Sequence, residues 1–304
     1  MPEWDPEIKV DEARARRLIA AQFPEFADAP LREMATGWDN IVHLVDDRWV
    51  FRFPQRQIAV AGVQREIDVL RRLAPNLPLP IPVPRFIGAP TDDYPWPWFG
   101  AKYIAGVEVA QSGLTDDARI PAASAVGAFL ASLHSTRLAS RIASGLPIDP
   151  MRRADMAVRV VRTRERLAEL LDAGVWKAPP GVEQLLTQAA ALPPSPTTVV
   201  LHGDLHARHL LVTPDGAAAG VIDWGDVCVG DPSIDLSLVF GTFVGAARAA
   251  LIDSYGPIDG LTELRARVIA VFLAAALLLY AADRGMDALR LESLRSLERA
   301  LAPR

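Results

Sequence analysis

A single cysteine, Cys228, stands among 304 residues. One thiol excludes an internal disulfide and a multi-cysteine zinc site, and it fits a reducing compartment. Positive charge is short as well, with 32 Lys and Arg against 37 Asp and Glu and a net charge of −5. A general nucleic-acid binder needs surplus cations to displace counterions from phosphates, which argues against that class. The opening MPEWDPEIKVDEARARR has no apolar core and does not read as a secretory signal. One stretch, Val268–Ala282, is apolar throughout, but it is shorter than the roughly 20 residues of a membrane span and reads as a buried helix. No internal repeat is present. The expectation is a cytoplasmic chain, monomeric or weakly dimeric, with neither membrane nor nucleic acid as partner.

Half of the residues are hydrophobic and 23% are charged, the balance of a folded globular chain with a large core. The length suggests two lobes. Asp11–Phe23 carries helical spacing, with Asp11 as N-cap and Ala15, Leu18, Ile19, Gln22 and Phe23 on one face. Leu31–Ala35, Ile41–Val45 and Trp49–Phe53 are strand-like and separated by TGWDN and an Asp pair, which predicts an antiparallel meander. Ile58–Leu73 returns to helical period, its apolar side read as Val60, Val63, Ile67, Leu70 and Leu73, with Glu66 elsewhere. Eight prolines in the 23 residues Pro75–Pro97 forbid a helix there. Two strands, Arg85–Gly88 and Trp98–Ile104, are read in and after this run. Ala105-Gly106 is taken as the joint, giving lobes 1–105 and 106–304. The second lobe reads as mostly helical: Asp116–His134, Met151–Asp172, Gly181–Leu192, Ile234–Phe243, Ala246–Tyr255, Leu261–Asp283 and Asp287–Leu301. Short strands at Thr198–His202, Leu210–Val212 and Ala219–Asp223 interrupt it.

The chemistry concentrates in Val199–Leu238, VVLHGDLHARHLLVTPDGAAAGVIDWGDVCVGDPSIDLSL. Asp204 follows a short apolar strand, His209 comes five residues later, and a hairpin returns the chain to Asp223. Loop ends held side by side by a hairpin give an open polar site on a rigid sheet. That arrangement suits phosphoryl transfer, in which one acid orients the attacking hydroxyl and others hold Mg²⁺ against nucleotide phosphates. Asp231 and Asp235 read as structural, Asp235 either accepting backbone N–H groups of the loop or capping its helix. His202 reads as a loop anchor. His206 is either within reach of a transferring phosphate or simply exposed, and Trp224 either walls a pocket or is plain core.

The pattern HGDLHxxHLLV…GVIDWGDxxxGDPxxDLS resembles the aminoglycoside and macrolide phosphotransferase family. The resemblance extends along the chain through Thr36-Gly37-Trp38-Asp39-Asn40, WVFRFP at 49–54, VQREIDVLRRL at 63–73 and FGAKYIAG at 99–106. It implies an α+β, protein-kinase-like fold with an antiparallel N-terminal sheet and a mainly helical C-terminal lobe. It implies a kinase moving the γ-phosphoryl group of ATP or GTP, with Mg²⁺, to a hydroxyl of an antibiotic-like acceptor. By the same resemblance Asp204 is the catalytic acid and Asp223 a metal ligand. Arg52 contacts phosphates with Glu66 as its ion-pair partner, and Lys102, Tyr103 and Ile104 meet the base.

Two positions depart from the family pattern. His209 stands where an asparagine is the commonest second metal ligand, and Mg²⁺ prefers oxygen. Histidine there is also the pattern of macrolide kinases and aminoglycoside 2″-phosphotransferases, several of which use GTP. Arg52 replaces a lysine, keeping the charge but trading a point ammonium for a planar fork. Two other readings stay open: a kinase of a small amino alcohol or sugar, since fold does not fix function, and a non-catalytic nucleotide-binding pseudokinase. A protein kinase is disfavoured, because no three-glycine phosphate loop is present. Residues 151–172 carry six arginines against four acids, a surplus that mildly disfavours a polycationic acceptor unless it is only an ion-paired exposed face.

Overall fold

Two aspartates in succession set the second hairpin of the N-terminal meander. Asp46 (φ 54°) and Asp47 (φ 47°) both take the left-handed conformation, and Arg48 N–H closes the turn onto the Val45 carbonyl at 3.2 Å. Such a turn matches the right-handed twist of the flanking strands. In this computed structural model, which describes residues 6–37, 39–195 and 198–302, the turn joins β2 (Asn40–Val45) to β3 (Trp49–Pro54). Trp38 of the TGWDN turn lies outside the described residues.

The chain divides into two compact units. The first comprises Met1–Pro75, Pro80–Ile104 and Trp224–Val227; the second comprises Asn76–Leu79, Ala105–Asp223 and Cys228–Arg304. In the first unit β1 (Leu31–Thr36), β2, β3, β4 (Pro84–Gly88) and β5 (Trp98–Lys102) form an antiparallel sheet in the order β1-β2-β3-β5-β4. The final strand ends at Lys102, two residues before its expected end, and the Tyr103 N–H carries the β3–β5 register one step further by donating to the Arg48 carbonyl at 2.8 Å. Among the described residues the only helical piece in the proline run is a 3₁₀ turn, Ala74–Asn76, and β4 lies within the same run. Helix α1 (Glu12–Gln22) starts on Asp11, whose carboxylate accepts the Arg14 N–H at 2.8 Å. It buries Ala15, Leu18 and Ile19 among Phe51, Phe53, Tyr94 and Trp98.

Helix α2 (Gln57–Leu73) corrects the sequence reading of its face. Its buried stripe is Ala59, Gly62, Val63, Glu66, Val69, Leu70 and Leu73, so Glu66 sits in the middle of the apolar side.

The second unit holds β6 (Val107–Glu108), β7 (Val199–Leu201), β8 (Leu210–Val212), β9 (Ala218–Val221) and β10 (Cys228–Gly230), paired as β6-β8-β9 and β10-β7. Around them lie α3 (Ile120–Leu133), α4 (Thr136–Ile142), α5 (Met156–Asp172), α6 (Val182–Ala190), α7 (Ser233–Thr242), α8 (Gly245–Tyr255), α9 (Gly260–Arg284) and α10 (Asp287–Leu301). Three of these differ from expectation. Helix α3 starts at Ile120 and not at Asp116, because Asp117–Arg119 forms a 3₁₀ turn ahead of it. Helix α4, absent from the sequence reading, is a short piece capped by Ser135 that buries only Leu138 and Ile142. Helix α5 starts at Met156 and not at Met151, because Arg152 has φ 50° and Asp155 caps the helix by accepting the Ala157 N–H.

Helix α9 runs 25 residues, well past the apolar stretch that marked it, and by length and composition alone it is able to cross a bilayer. Here it is the central helix of its unit, packed against α5, α7 and α10 and burying Arg265 along with its aliphatic residues. A buried ion cluster ties α10 in. Arg119 grips Glu292 with both terminal nitrogens, and Arg299 bridges Glu292 and Asp116. Each buried charge is thus paired, as the cost of desolvating it demands.

Candidate active site

Strand β7 ends at Leu201, and the next two residues are anchored by a distant carboxylate. Asp235, fully buried in α7, accepts the His202 N–H at 2.7 Å and the Gly203 N–H at 2.9 Å. Of the two readings for Asp235, the structure takes the first: it holds the loop and does not cap its helix. Gly203 has φ 89°, a conformation that glycine adopts without a Cβ penalty. His134 Nε2 lies 3.3 Å from the same carboxylate, with Tyr255 Oη 3.0 Å from the other ring nitrogen. Burial, and next the charges of Asp235 and Asp231, push the Tyr255 phenol up to about 12.

His202 is the second anchor. Its Nδ1 accepts the Asp204 N–H at 3.2 Å, so Nε2 carries the proton and donates to the Ile222 carbonyl at 2.9 Å. Burial pushes its pKa below the ordinary value against the pull of Asp235. The ring is a neutral strut between the loop and the end of the β8–β9 hairpin.

Asp204 emerges from this frame with its carboxylate 3.6 Å from His206 Nε2 and 3.8 Å from His209 Nδ1. Burial alone raises a carboxyl pKa, but the His206 and His209 rings and the Arg153 guanidinium outweigh it and hold Asp204 well below the usual range. It is an anion at neutral pH. His206 is therefore not an exposed loop residue; it stacks 4.0 Å from the His209 ring and faces Asp204.

His209 shows most clearly what the site is built to hold. Its Nδ1 donates to the Asp204 carbonyl at 2.7 Å, which leaves Nε2 facing Asp223 Oδ2 at 3.5 Å. Burial and then His206 lower its pKa, against Asp223 and Asp204, so the neutral ring is favoured. A neutral Nε2 then turns a lone pair toward a carboxylate, an arrangement that a shared cation relieves. The gap is short enough for one small divalent ion to touch both atoms. Ligand atoms of Asp204, His206 and His209 also lie within 4.8 Å of one another. The His209–Asp223 pair offers a divalent metal one nitrogen and one carboxylate oxygen, while the Asp204, His206 and His209 group offers two nitrogens and one oxygen. Asp223 itself has φ 64°, a left-handed conformation that costs a non-glycine residue about 1–3 kcal/mol and tends to mark functional positions.

In the first unit the remaining candidates separate. Arg52 Nε lies 3.3 Å from Glu66 Oε2, and Glu66 Oε1 accepts the Trp224 N–H at 3.1 Å. Arg65 donates to the Gly225 carbonyl at 2.6 Å. Helix α2 thus grips the segment that directly follows Asp223, and Trp224 is fully buried. Lys102 is exposed, while Tyr103 and Ile104 are half-buried. The Tyr103 N–H is committed to Arg48 and is not free to meet a base. Sequence reasoning did not single out Arg159, a buried arginine of α5 whose positive charge the Asp149 and Asp204 carboxylates favour; its only signal was membership of an arginine-rich helix.

Comparison with known proteins agrees with this geometry. A family model described as "Phosphotransferase enzyme family" matches residues 30–268. Viomycin phosphotransferase from Streptomyces vinaceus is 29% identical over 243 residues, covering 77% of this chain and 81% of that one. Among solved structures, the GDP and kanamycin complex of APH(2")-IIia superposes with a TM-score of 0.72 at 22% identity, covering 96% of this chain and 98% of the other. A macrolide 2'-phosphotransferase type I gives 0.62 at 23% identity, with 99% of each chain covered. The fold is kinase-like, and the chain that carries Asp204 on its anchored loop belongs to the phosphotransferase enzyme family, enzymes that pass a phosphoryl group to a hydroxyl acceptor.

Proposed function

We propose that this chain transfers the γ-phosphoryl group of ATP or GTP to a hydroxyl of an antibiotic-like small molecule, with Mg²⁺ at His209 and Asp223. The observation that carries the reading is Asp204, an ionised carboxylate fixed at a strand end beside a histidine whose free nitrogen faces a second carboxylate. Asp204 orients the acceptor hydroxyl. The acceptor oxygen bonds to the γ-phosphorus, the bond to the β-phosphate bridging oxygen breaks, and the nucleoside diphosphate leaves. The hydroxyl proton passes to the Asp204 carboxylate. Its depressed pKa makes Asp204 a weak base, which suits a loose transition state in which positioning counts for more than proton abstraction. A divalent cation supplies neutralisation of phosphate charge when bound. In residues 1–105, Arg52 takes phosphate contacts under the constraint of Glu66, and Lys102 and Ile104 meet the base. Residues 106–304 supply the catalytic loop and the acceptor site.

The test is phosphoryl transfer by the purified chain with ATP and GTP in turn, read by mass on the acceptor. Asp204→Asn should fold and bind nucleotide as the parent does while turnover falls by at least about 10²-fold. Near-normal turnover in that variant removes Asp204 from the mechanism.

A further inference from the structure

Strand β3 leaves the Asp46-Asp47 turn with Trp49, and its alternation sends Trp49, Phe51 and Phe53 to one face of the sheet and Val50 and Arg52 to the other. The packing keeps that division. Phe51, Phe53 and Trp98 bury against α1 with Trp49 and Phe86 at their margin, whereas Val50 packs with Val63 and Phe99 on the α2 side, where Arg52 meets Glu66. At the α1-side margin lies a cleft of about 510 Å³, within the range of about 300–1,000 Å³ that small-molecule sites occupy. Three aromatic rings line it. Trp49 meets Phe86 at 84° with centroids 4.9 Å apart, and Phe26 meets Phe86 at 86° and 5.0 Å. Phe86 is braced further by Phe51 and Phe23, at 5.8 Å and 5.3 Å. Trp49, half-buried, has Phe86 as its single ring neighbour among the described residues, so much of the indole is left to line the cleft. The charge beside these rings is mostly of one sign: Glu25, Asp28 and Asp46 line the cleft against Arg48 alone, and Arg48 lies 3.9 Å from Asp46. Arg16 donates to the Ala29 carbonyl at 2.8 Å but is not among the lining residues. Glu25 and Asp28 are the surplus.

We propose that this cleft binds a small organic cation with an alkylated ammonium head, the head lying on the Trp49 indole with Phe86 and Phe26 beside it and Glu25 and Asp28 supplying the opposite charge. Aromatic rings set nearly at right angles offer a cation π surface on more than one side, and tryptophan is the strongest of these partners. An alkylated head suits them because it gives up its water cheaply and touches the rings with methyl groups. A bare ammonium holds its water more tightly, and a neutral isostere gains the apolar contact without the charge. Anions meet the surplus carboxylates and are turned away. The site is on the face of the sheet opposite Arg52, so it is a second ligand site and does not depend on the phosphoryl-transfer reading.

The probe is tetramethylammonium chloride, whose cation has no hydroxyl and so cannot act as a phosphoryl acceptor. tert-Butanol serves as the neutral molecule of similar shape, and ammonium chloride as the hydrated cation at matched ionic strength. Binding is read without nucleotide, by calorimetry and by the rise in melting temperature. The proteins are the parent, Trp49→Leu, a double variant carrying Glu25→Gln and Asp28→Asn, and Asp204→Asn. The parent should bind tetramethylammonium in preference to both comparators. Trp49→Leu should weaken that binding about 5- to 30-fold, the worth of a desolvated cation–π contact. The double variant should weaken it by about 2- to 10-fold, less because the acids are exposed and screened, and added salt should weaken the parent in the same direction. Asp204→Asn should bind as the parent does. tert-Butanol or ammonium bound as well as tetramethylammonium, or no saturable binding of tetramethylammonium, overturns the proposal on the parent alone, even if Trp49→Leu does not fold. So does binding that Trp49→Leu leaves unchanged, or binding that Asp204→Asn abolishes, which puts the cation at the catalytic loop. The kinase reading fails by a different result, an acceptor phosphorylated as well by Asp204→Asn as by the parent.

Discussion

Asp235 does its work on backbone atoms 33 and 32 positions away in the chain. Its two oxygens accept two N–H groups at the end of β7, and they fix the direction in which Asp204 leaves the strand. Asp235→Ala takes this acceptor from both donors in a buried place, each at a cost of about 1–3 kcal/mol. The variant should unfold at lower denaturant and lose turnover more than nucleotide affinity, since the catalytic loop loosens first. An unchanged unfolding midpoint shows that the anchor contributes nothing. Asp204, Asp223 and Asp235 were all legible as acids in one motif, and the structural role for Asp235 was weighed from its position alone. The division of labour between His206 and His209 was not legible, because it depends on which backbone group meets each ring: His209 Nδ1 donates to the Asp204 carbonyl, while His206 Nδ1 accepts the Arg208 N–H.

Among the elements, α2 is where sequence periodicity and tertiary structure part company. The spacing Ala59, Val63, Glu66, Leu70, Leu73 places a carboxylate at the centre of an apolar stripe, and the structure buries it with Arg52 and the Trp224 N–H as partners. Glu66→Ala leaves Arg52 without its carboxylate and the Trp224 amide without its acceptor, a loss of about 3–5 kcal/mol by analogy with broken buried pairs. Glu66→Gln keeps an oxygen for Trp224 and should lose less. Equal denaturation midpoints for the two variants would contradict this order. Helices α3 and α8 offer a steric case. A Cβ on Gly127 would lie 2.3 Å from the Leu251 carbonyl oxygen, so the two backbones touch only because that atom is missing. Alanine favours a helix by about 1 kcal/mol over glycine, yet Gly127→Ala should lower the melting temperature, because overpacking costs about 1–3 kcal/mol. A stabilised Gly127→Ala would mean that α3 and α8 separate freely.

At the scale of the molecule, buried histidines set the acid limit of stability. His43 is buried in β2, where its Nε2 donates to the Val10 carbonyl at 3.0 Å. Burial lowers its pKa below 6.5, against that hydrogen bond and the charges of Glu33, Glu12 and Asp11. In the unfolded chain the same ring titrates at its ordinary value, so protons bind the unfolded state first as pH falls. The stability tied to a neutral His43 is whole above 6.5 and is lost progressively as pH drops from there toward the folded value. His202, shifted the same way by burial, adds to the slope. His43→Gln keeps a donor for Val10 and removes one titrating group. Its unfolding free energy should change less than the parent's between about pH 7 and about pH 5. Parallel pH profiles for the two proteins would show that His43 titrates alike in both states.

Local chemistry determined much of this protein before any coordinates. Paired aspartates specify the β2–β3 hairpin, Asp11 starts the first helix, prolines forbid a helix through residues 75–97, and the run from Val199 to Leu238 carries the family and its acids in order. Each is a matter of neighbouring residues and backbone preference, so spacing alone encodes it. Tertiary structure decided the rest: that Glu66 is buried, that His209 turns Nε2 toward Asp223, that Asp235 reaches back to His202, and that Arg159 is buried against the Phe272 ring. These depend on which groups water leaves and which distant atoms replace it. Desolvation is a property of the folded surroundings, and no window of sequence contains it.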